Sequence, residues 1–225
     1  MKFYFSCFLF FVLFVAPYRV VAETLISNYN VITKGVKIGE LVWEIKADNK
    51  KYENSLLLKS KGLLSSIYKF EGRYFSNGKI ENNFFIPESY SHFWKTKKKE
   101  KEVKITFIKN KVFALEQQPR ESEKQRIDIF KLKNFFDPLT SFINILNNKL
   151  SSDTIDGRRI YKMSTMKSLE KDNVKTIYIE NYINIWADHK RNDLEKIIFY
   201  NNKNSFFPNK IEIYFKGNLF SIYKV

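Results

Sequence analysis

The sequence predicts a mainly β protein: a curved antiparallel meander of about ten strands, a half-barrel or open barrel, with one short helix as its lid. Three observations predict it. Apolar and polar residues alternate at period two along much of the chain. Turn residues recur between the alternating runs. One segment alone, after Asp137-Pro138, sets its apolar residues at helical spacing.

Taken in order, Ile38 to Lys46 puts Gly39, Leu41, Trp43 and Ile45 on one face, with Ile38, Glu40, Val42, Glu44 and Lys46 on the other. A second run places Tyr68, Phe70, Gly72 and Tyr74 together, against Lys69, Glu71 and Arg73. Ser76-Asn77-Gly78-Lys79 reads as a tight turn, because Asn-Gly tolerates the left-handed backbone of a two-residue hairpin. Ser89 to Thr96 and Val103 to Ile108 then form a hairpin whose tip is the solvated charge cluster Lys97 to Lys101. Asn110 turns the chain into Val112 to Leu115, and Gln117 to Lys133 is polar and uneven, a long loop. Gly35 and Gly39 are expected at a turn or a close strand approach.

Asp137 is in N-cap position with Pro138 in the first turn. Leu139, Phe142, Ile143 and Leu146 follow along one stripe, and the helix ends near Asn147-Asn148. Strands resume after the Asp156-Gly157 turn: Arg159 to Thr165, Thr176 to Ala187, then, past the polar turn Asp188 to Asp193, Leu194 to Tyr200, Lys210 to Lys216 and Leu219 to Val225. A sheet that stays open needs an apolar cover on its concave face. The helix from Asp137 to Asn148 is the candidate, with Leu139, Phe142, Ile143 and Leu146 as the lid contacts.

The N-terminus adds a compartment. Lys2 precedes an apolar run from Phe3 to Ala16, Pro17 breaks it, and Val20-Val21-Ala22 offers small residues for cleavage after Ala22. The run is short for a membrane span, which needs about 20 residues. Residues 1–22 are therefore expected to be a signal peptide and 23–225 a single β-rich domain, exported to the periplasm. The single cysteine, Cys7, leaves with the leader, so the mature chain has no disulfide, thiol nucleophile or thiolate-bound metal.

Charge narrows the partners. The chain carries 39 Lys+Arg against 24 Asp+Glu; losing Lys2 and Arg19 leaves 37 against 24, a net +13. Such a surface suits an anionic membrane or polymer. The joint abundance of Lys, Asn, Ile and Phe is also what an A/T-rich coding sequence produces, and that bias accounts for much of the excess. Export argues against nucleic acid as a partner.

No catalytic motif is present. His92 and His189 have no His or Cys at metal-ligand spacing. There is no Gly-x-Ser-x-Gly elbow and no Gly-rich phosphate loop. Glu100/Glu102 and Glu121/Glu123 lie in charge-rich stretches that read as surface. No metal and no cofactor is expected. The aromatic stripes are more informative. Tyr68, Phe70 and Tyr74 form one; Tyr178, Tyr182 and Trp186 form another, with Ile177, Ile179, Ile183 and Ile185 on the opposite face. A strand apolar on both sides is covered on both, either by helix and loop or by a ligand. These six aromatics are the candidate cavity lining. Phe135-Phe136 is the hydrophobic entry anchor of the helix, or alternatively a gate.

Three segments together resemble a known family. Tyr29-Asn-Val-Ile-Thr-Lys-Gly-Val-Lys-Ile-Gly-Glu40 resembles the opening motif of domain-of-unknown-function family 3108. Asp137-Pro-Leu-Thr-Ser-Phe-Ile143 is similar to its central Asp-Pro-Leu-Ser segment, with Thr140 in place of Ser. Asp156-Gly-Arg-Arg-Ile-Tyr161 and Pro208 to Phe215 look like its later strands. The resemblance implies a bacterial exported protein with a curved antiparallel sheet, similar to the half-barrels of periplasmic lipoprotein carriers. Such half-barrels hold acyl chains in an apolar concavity; no catalytic residues come with the resemblance. The function expected is therefore binding of a lipid, a lipid-linked or another amphiphilic envelope ligand. The alternative is a non-enzymatic structural or adaptor protein whose core is filled by its own side chains.

Overall fold

The computed structural model describes residues 23–225 apart from 63–64, 66–68, 167–172, 187–192 and 202–204. The expected leader, and with it the cleavage point after Ala22, lies outside the described residues, as do Tyr68, His189 and most of the polar turn before Asp193. Two antiparallel runs make the fold. The first comprises β1 (Glu23–Thr33), β2 (Val36–Ala47), β3 (Lys51–Ser60), β4 (Phe70–Glu81), β5 (Phe84–Thr96), β6 (Glu100–Ile108) and β7 (Lys111–Gln118). After α1 (Pro138–Leu146) come β8 (Ser151–Ile155), β9 (Arg159–Ser164), β10 (Val174–Asn184), β11 (Leu194–Tyr200), β12 (Lys210–Phe215) and β13 (Asn218–Lys224). β1 pairs with β13, so the first and last strands weld both runs into one sheet.

That sheet has thirteen strands, in the order β7 to β1 and then β13 back to β8. It exceeds the expected count of about ten because β1, β3 and β8 lack a clean alternation. The inward positions of β1 include Ser27, those of β3 include Asn54, and those of β8 are Ser152 and Thr154, all buried. Each reads as a solvent-facing residue in a sequence. In β3 the run Leu56-Leu57-Leu58 also hides the period.

Two local expectations are corrected. Asn77-Gly78 is no turn: β4 runs through it, with a bulge against β5 at that point. Gly78 is there because a Cβ would clash with the Ile86 carbonyl oxygen. Asn82 and Asn83, at φ +51 and +64, make the turn instead. In β10, Asn181 takes φ +56 and the register with β9 shifts between Glu180 and Ile183. The shift exchanges the two faces. Ile177 and Ile179 point inward with Tyr182, while Tyr178 falls on the outer face and Ile183 is 50% exposed. Tyr178, Tyr182 and Trp186 therefore do not form one stripe. Gly35 at φ +77 supplies the β1–β2 turn, and at Gly39 a Cβ would lie 2.6 Å from the Lys59 carbonyl oxygen, as expected of a close strand approach.

The sheet does not close strand to strand; its edges, β7 and β8, are linked through the chain between them. Lys133 forms a bridge to Lys111 and Phe136 a bridge to Thr154. The Asn134 amide donates to the Asn110 carbonyl at 2.8 Å and the Phe136 amide to that of Asp153 at 2.9 Å. Across the same gap, Gln117 Nε2 donates to the Gly157 carbonyl at 2.6 Å. Phe136 is buried and Phe135 half-buried, so both anchor the entry to the helix.

The helix lies on the concave side and is sunk deeper than a lid. Leu139, Ile143 and Ile145 are buried, and so are the polar Thr140, Ser141 and Asn144. Its end is pinned: the Asn144 carboxamide accepts from the Phe85 amide at 2.9 Å and donates to the Phe85 carbonyl at 2.8 Å. Asn147 Nδ2 donates to the Asn83 carbonyl and Lys175 Nζ to that of Ile145. A helix satisfied on its polar face by the sheet is an interior plug.

Candidate functional site: an apolar cavity beside a buried polar latch

Between the plug and the inner face of the sheet lies an apolar cavity of about 280 Å³. β2 contributes Leu41 and Trp43, and β3 contributes Leu56 and Leu58. Facing them are Tyr161 and Met163 of β9, with Ile197, Ile211 and Ile222 from the strands beyond. Pro138, Leu139 and Phe142 close the side toward the helix. Trp43 is held rigidly: its ring centroid is 5.4 Å from Phe142 and 5.0 Å from Phe207, and its Nε1 donates to Asn54 Oδ1 at 2.8 Å.

Among the residues expected here, Tyr74, Leu139 and Phe142 line the cavity. Ile143 and Leu146 face the same core and seat the helix. Phe70 is buried on the concave side, stacked on Trp94 at 5.6 Å. Tyr182 points inward but its hydroxyl donates to the Leu194 carbonyl at 2.6 Å, and its ring packs on Tyr161 at 5.2 Å. Trp186, beyond β10, donates to the Gly157 carbonyl at 3.3 Å and lies outside this cavity. Tyr178 faces away, on the outer surface, and Tyr68 is not described. Tyr161 and Met163 fall in the expected strand Arg159 to Thr165, and nothing in its pattern marks them as lining. Leu41 and Trp43 were legible as one apolar face but were not taken as lining, because an ordinary core face has the same period.

Beside the cavity sits a latch of buried polar groups. Asp137 is fully buried, and one carboxylate oxygen accepts from the Leu139 and Thr140 amides at 2.9 and 3.0 Å. The other accepts from Ser76 Oγ at 2.9 Å and from the Thr140 hydroxyl. Tyr52 OH lies 2.6 Å from Thr140 Oγ1, which joins β3, β4 and α1 in one network. Burial pushes the Asp137 carboxyl up to about 6, against the opposing pull of its hydrogen-bond donors. A second chain of hydroxyls runs from Ser152 through Ser141 to Thr154, each step under 3 Å. These bonds make the latch structural; the network is sealed from solvent.

Toward the open edge of the sheet, Tyr90 OH lies 3.2 Å from His92 Nδ1, and burial lowers the His92 pKa. Asp156 caps its turn through the Arg158 and Arg159 amides and pairs with the Arg159 guanidinium at 3.1 Å. Among the described residues no three His, Cys, Asp or Glu are grouped to hold a metal ion.

Comparison with known proteins places the chain. No protein of curated function matches it. The crystal structure of a β-barrel-like protein of domain of unknown function DUF1849 from Brucella abortus is similar at a TM-score of 0.49 and 12% identity, covering 92% of this chain and 97% of that one. A family described as protein of unknown function (DUF3108) matches residues 28–212, from β1 into β12. The match takes in the Asp137 latch, the Asp156 turn and most of the cavity lining, and the chain belongs to the DUF3108 family.

Proposed function

We propose that this protein binds an apolar or amphiphilic molecule in the cavity between the helix and the concave face of the sheet. The observation that carries the reading is the cavity itself. It is lined almost wholly by apolar and aromatic side chains, and about 280 Å³ far exceeds the few waters that a filled interior would leave. At about 0.8 kcal/mol for each methylene removed from water, a short hydrocarbon chain gains appreciable affinity there. The leader-like residues 1–22 support action outside the cytoplasm, with a lipid or lipid-linked envelope component as the class of ligand. The rival reading, a filled structural or adaptor protein, has the basic surface in its favour but leaves the cavity without a role.

The test is a native mass spectrum of the protein purified from the periplasm of an expression host. A discrete added mass that organic extraction removes, and that fragments as a lipid, supports the proposal. A bare protein mass, unchanged by incubation with envelope lipid extract, overturns it. The same spectrum reads the cleavage site, expected after Ala22.

A further inference from the structure

Four interior tyrosines have hydroxyl partners. Tyr29 donates to the Pro208 carbonyl at 3.1 Å and Tyr182 to that of Leu194 at 2.6 Å. Tyr52 bonds Thr140 at 2.6 Å, and Tyr90 lies 3.2 Å from His92. Tyr74 and Tyr161 differ. Both line the cavity, and neither hydroxyl has a hydrogen-bond partner among the described residues, although Tyr161 is only 7% exposed. Among the described residues, the sealed polar atoms without a partner are those of Ser27, Asn54, Thr165 and Asn201. The Tyr74 and Tyr161 hydroxyls are not among them, so two unpaired but accessible hydroxyls on one apolar cavity are what a polar ligand group would satisfy.

We infer that Tyr74 and Tyr161 form the polar subsite of this cavity, and that its occupant is a single-chain amphiphile with an uncharged head, an alcohol or an ester. The inference rests on the ligand-binding reading above. The lining contains no Lys, Arg, His, Asp or Glu, so a carboxylate or phosphate placed there would lose its water and meet no counter-charge. Of the ionic groups near it, Asp137 accepts from its own latch donors and Asp156 and Arg159 pair with each other, with Arg159 over the ring of Tyr182, itself against Tyr161. Burial raises the pKa of Tyr74 to about 12 and that of Tyr161 upward as well, so each hydroxyl keeps its proton and can donate or accept. Size sets the number of chains. At about 30 Å³ for a water-sized group, a 280 Å³ cavity holds one chain on the order of ten carbons. The two chains of a diacyl lipid exceed that volume.

The experiment uses naphthalene, a fluorescent ten-carbon hydrocarbon without polar groups, as the dye bound to the exported protein. 1-Decanol, methyl decanoate, sodium decanoate at pH 8 and a diacyl phosphatidylglycerol compete against it. Decanol and the methyl ester are expected to displace the dye at concentrations at least tenfold below decanoate, and the diacyl lipid not at all. Tyr74→Phe/Tyr161→Phe is expected to weaken decanol about tenfold relative to its effect on the dye, the size of one or two lost hydrogen bonds. Equal competition by decanoate, displacement by the diacyl lipid, or unchanged decanol binding in the double variant overturns the subsite while the cavity reading stands. A protein that takes up neither dye nor decanol overturns both.

Discussion

Ser76, in the middle of β4, donates its hydroxyl to the buried carboxylate of Asp137 at 2.9 Å, across 61 residues of chain. The bond fastens the start of the helix to the sheet floor, and Asp137 caps that helix through two amides at once. Removing the carboxylate therefore uncaps the helix and takes away the acceptor of the Ser76 and Thr140 hydroxyls. Asp137→Ala is expected to cost on the order of 3 kcal/mol in urea unfolding, and Ser76→Ala on the order of 1 kcal/mol. In a double-mutant cycle the two losses should fall short of adding. Full additivity would show that the residues act independently.

The raised pKa of Asp137 has a pH signature with a definite sign. Its ordinary value is 3.8 and burial lifts it to about 6, so the folded state holds the proton more tightly than the unfolded one. The stabilisation from this group is complete below about pH 4 and disappears as pH rises through about 6. Two units correspond to about 3 kcal/mol. Asp137→Asn, which keeps the capping oxygen, should flatten that part of the stability profile between about pH 4 and 6.5. Melting temperatures recorded across this range for both proteins decide it; parallel curves would place the ionisation elsewhere.

Gly78 and Gly35 separate two reasons for glycine. A Cβ at Gly78 collides with the Ile86 backbone, which cannot move without breaking the β4–β5 ladder. At Gly35 a Cβ meets nothing within 4 Å, and only the left-handed φ of +77 penalises it. Gly78→Ala is expected to cost about 3 kcal/mol or more, and Gly35→Ala about 1 kcal/mol. Equal losses in chemical denaturation would contradict the assignment of the bulge.

Trp43 reports on the cavity wall through Asn54, its hydrogen-bond partner at 2.8 Å. Asn54→Ala leaves the indole N–H buried and unpaired, at an expected cost of about 1–3 kcal/mol. The Trp43 ring, wedged between Phe142 and Phe207, should keep its place. An unchanged near-ultraviolet circular dichroism spectrum together with lowered stability is the expected pair of results.

Much of the sheet was legible because its inward faces are apolar at period two. β2, β9, β11, β12 and β13 follow the alternation within a residue or two. The helix was legible from Asp137-Pro138, since a cap and a proline constrain the backbone locally. β1, β3 and β8 were not, because their inward Ser27, Asn54, Ser152 and Thr154 are polar. Asn54, Ser152 and Thr154 are buried against Trp43 and Ser141 on neighbouring elements, partners that an alternation within one strand does not reveal. Pattern reports the environment only where that environment is uniform.

The candidate site divides along the same line. By itself the sequence determined an open antiparallel sheet, a single capped helix to cover it, and aromatic residues facing inward; each follows from spacing and local backbone chemistry. Which aromatics share a space was decided only in three dimensions. A one-residue irregularity at Asn181 turns Tyr178 outward and Tyr182 inward, and pairing between β1 and β13 carries Tyr161 around to face Tyr74 across one cavity. The physical reason is that a bulge changes the facing of every residue after it at little local cost, and strand pairing joins residues that no spacing in the chain connects.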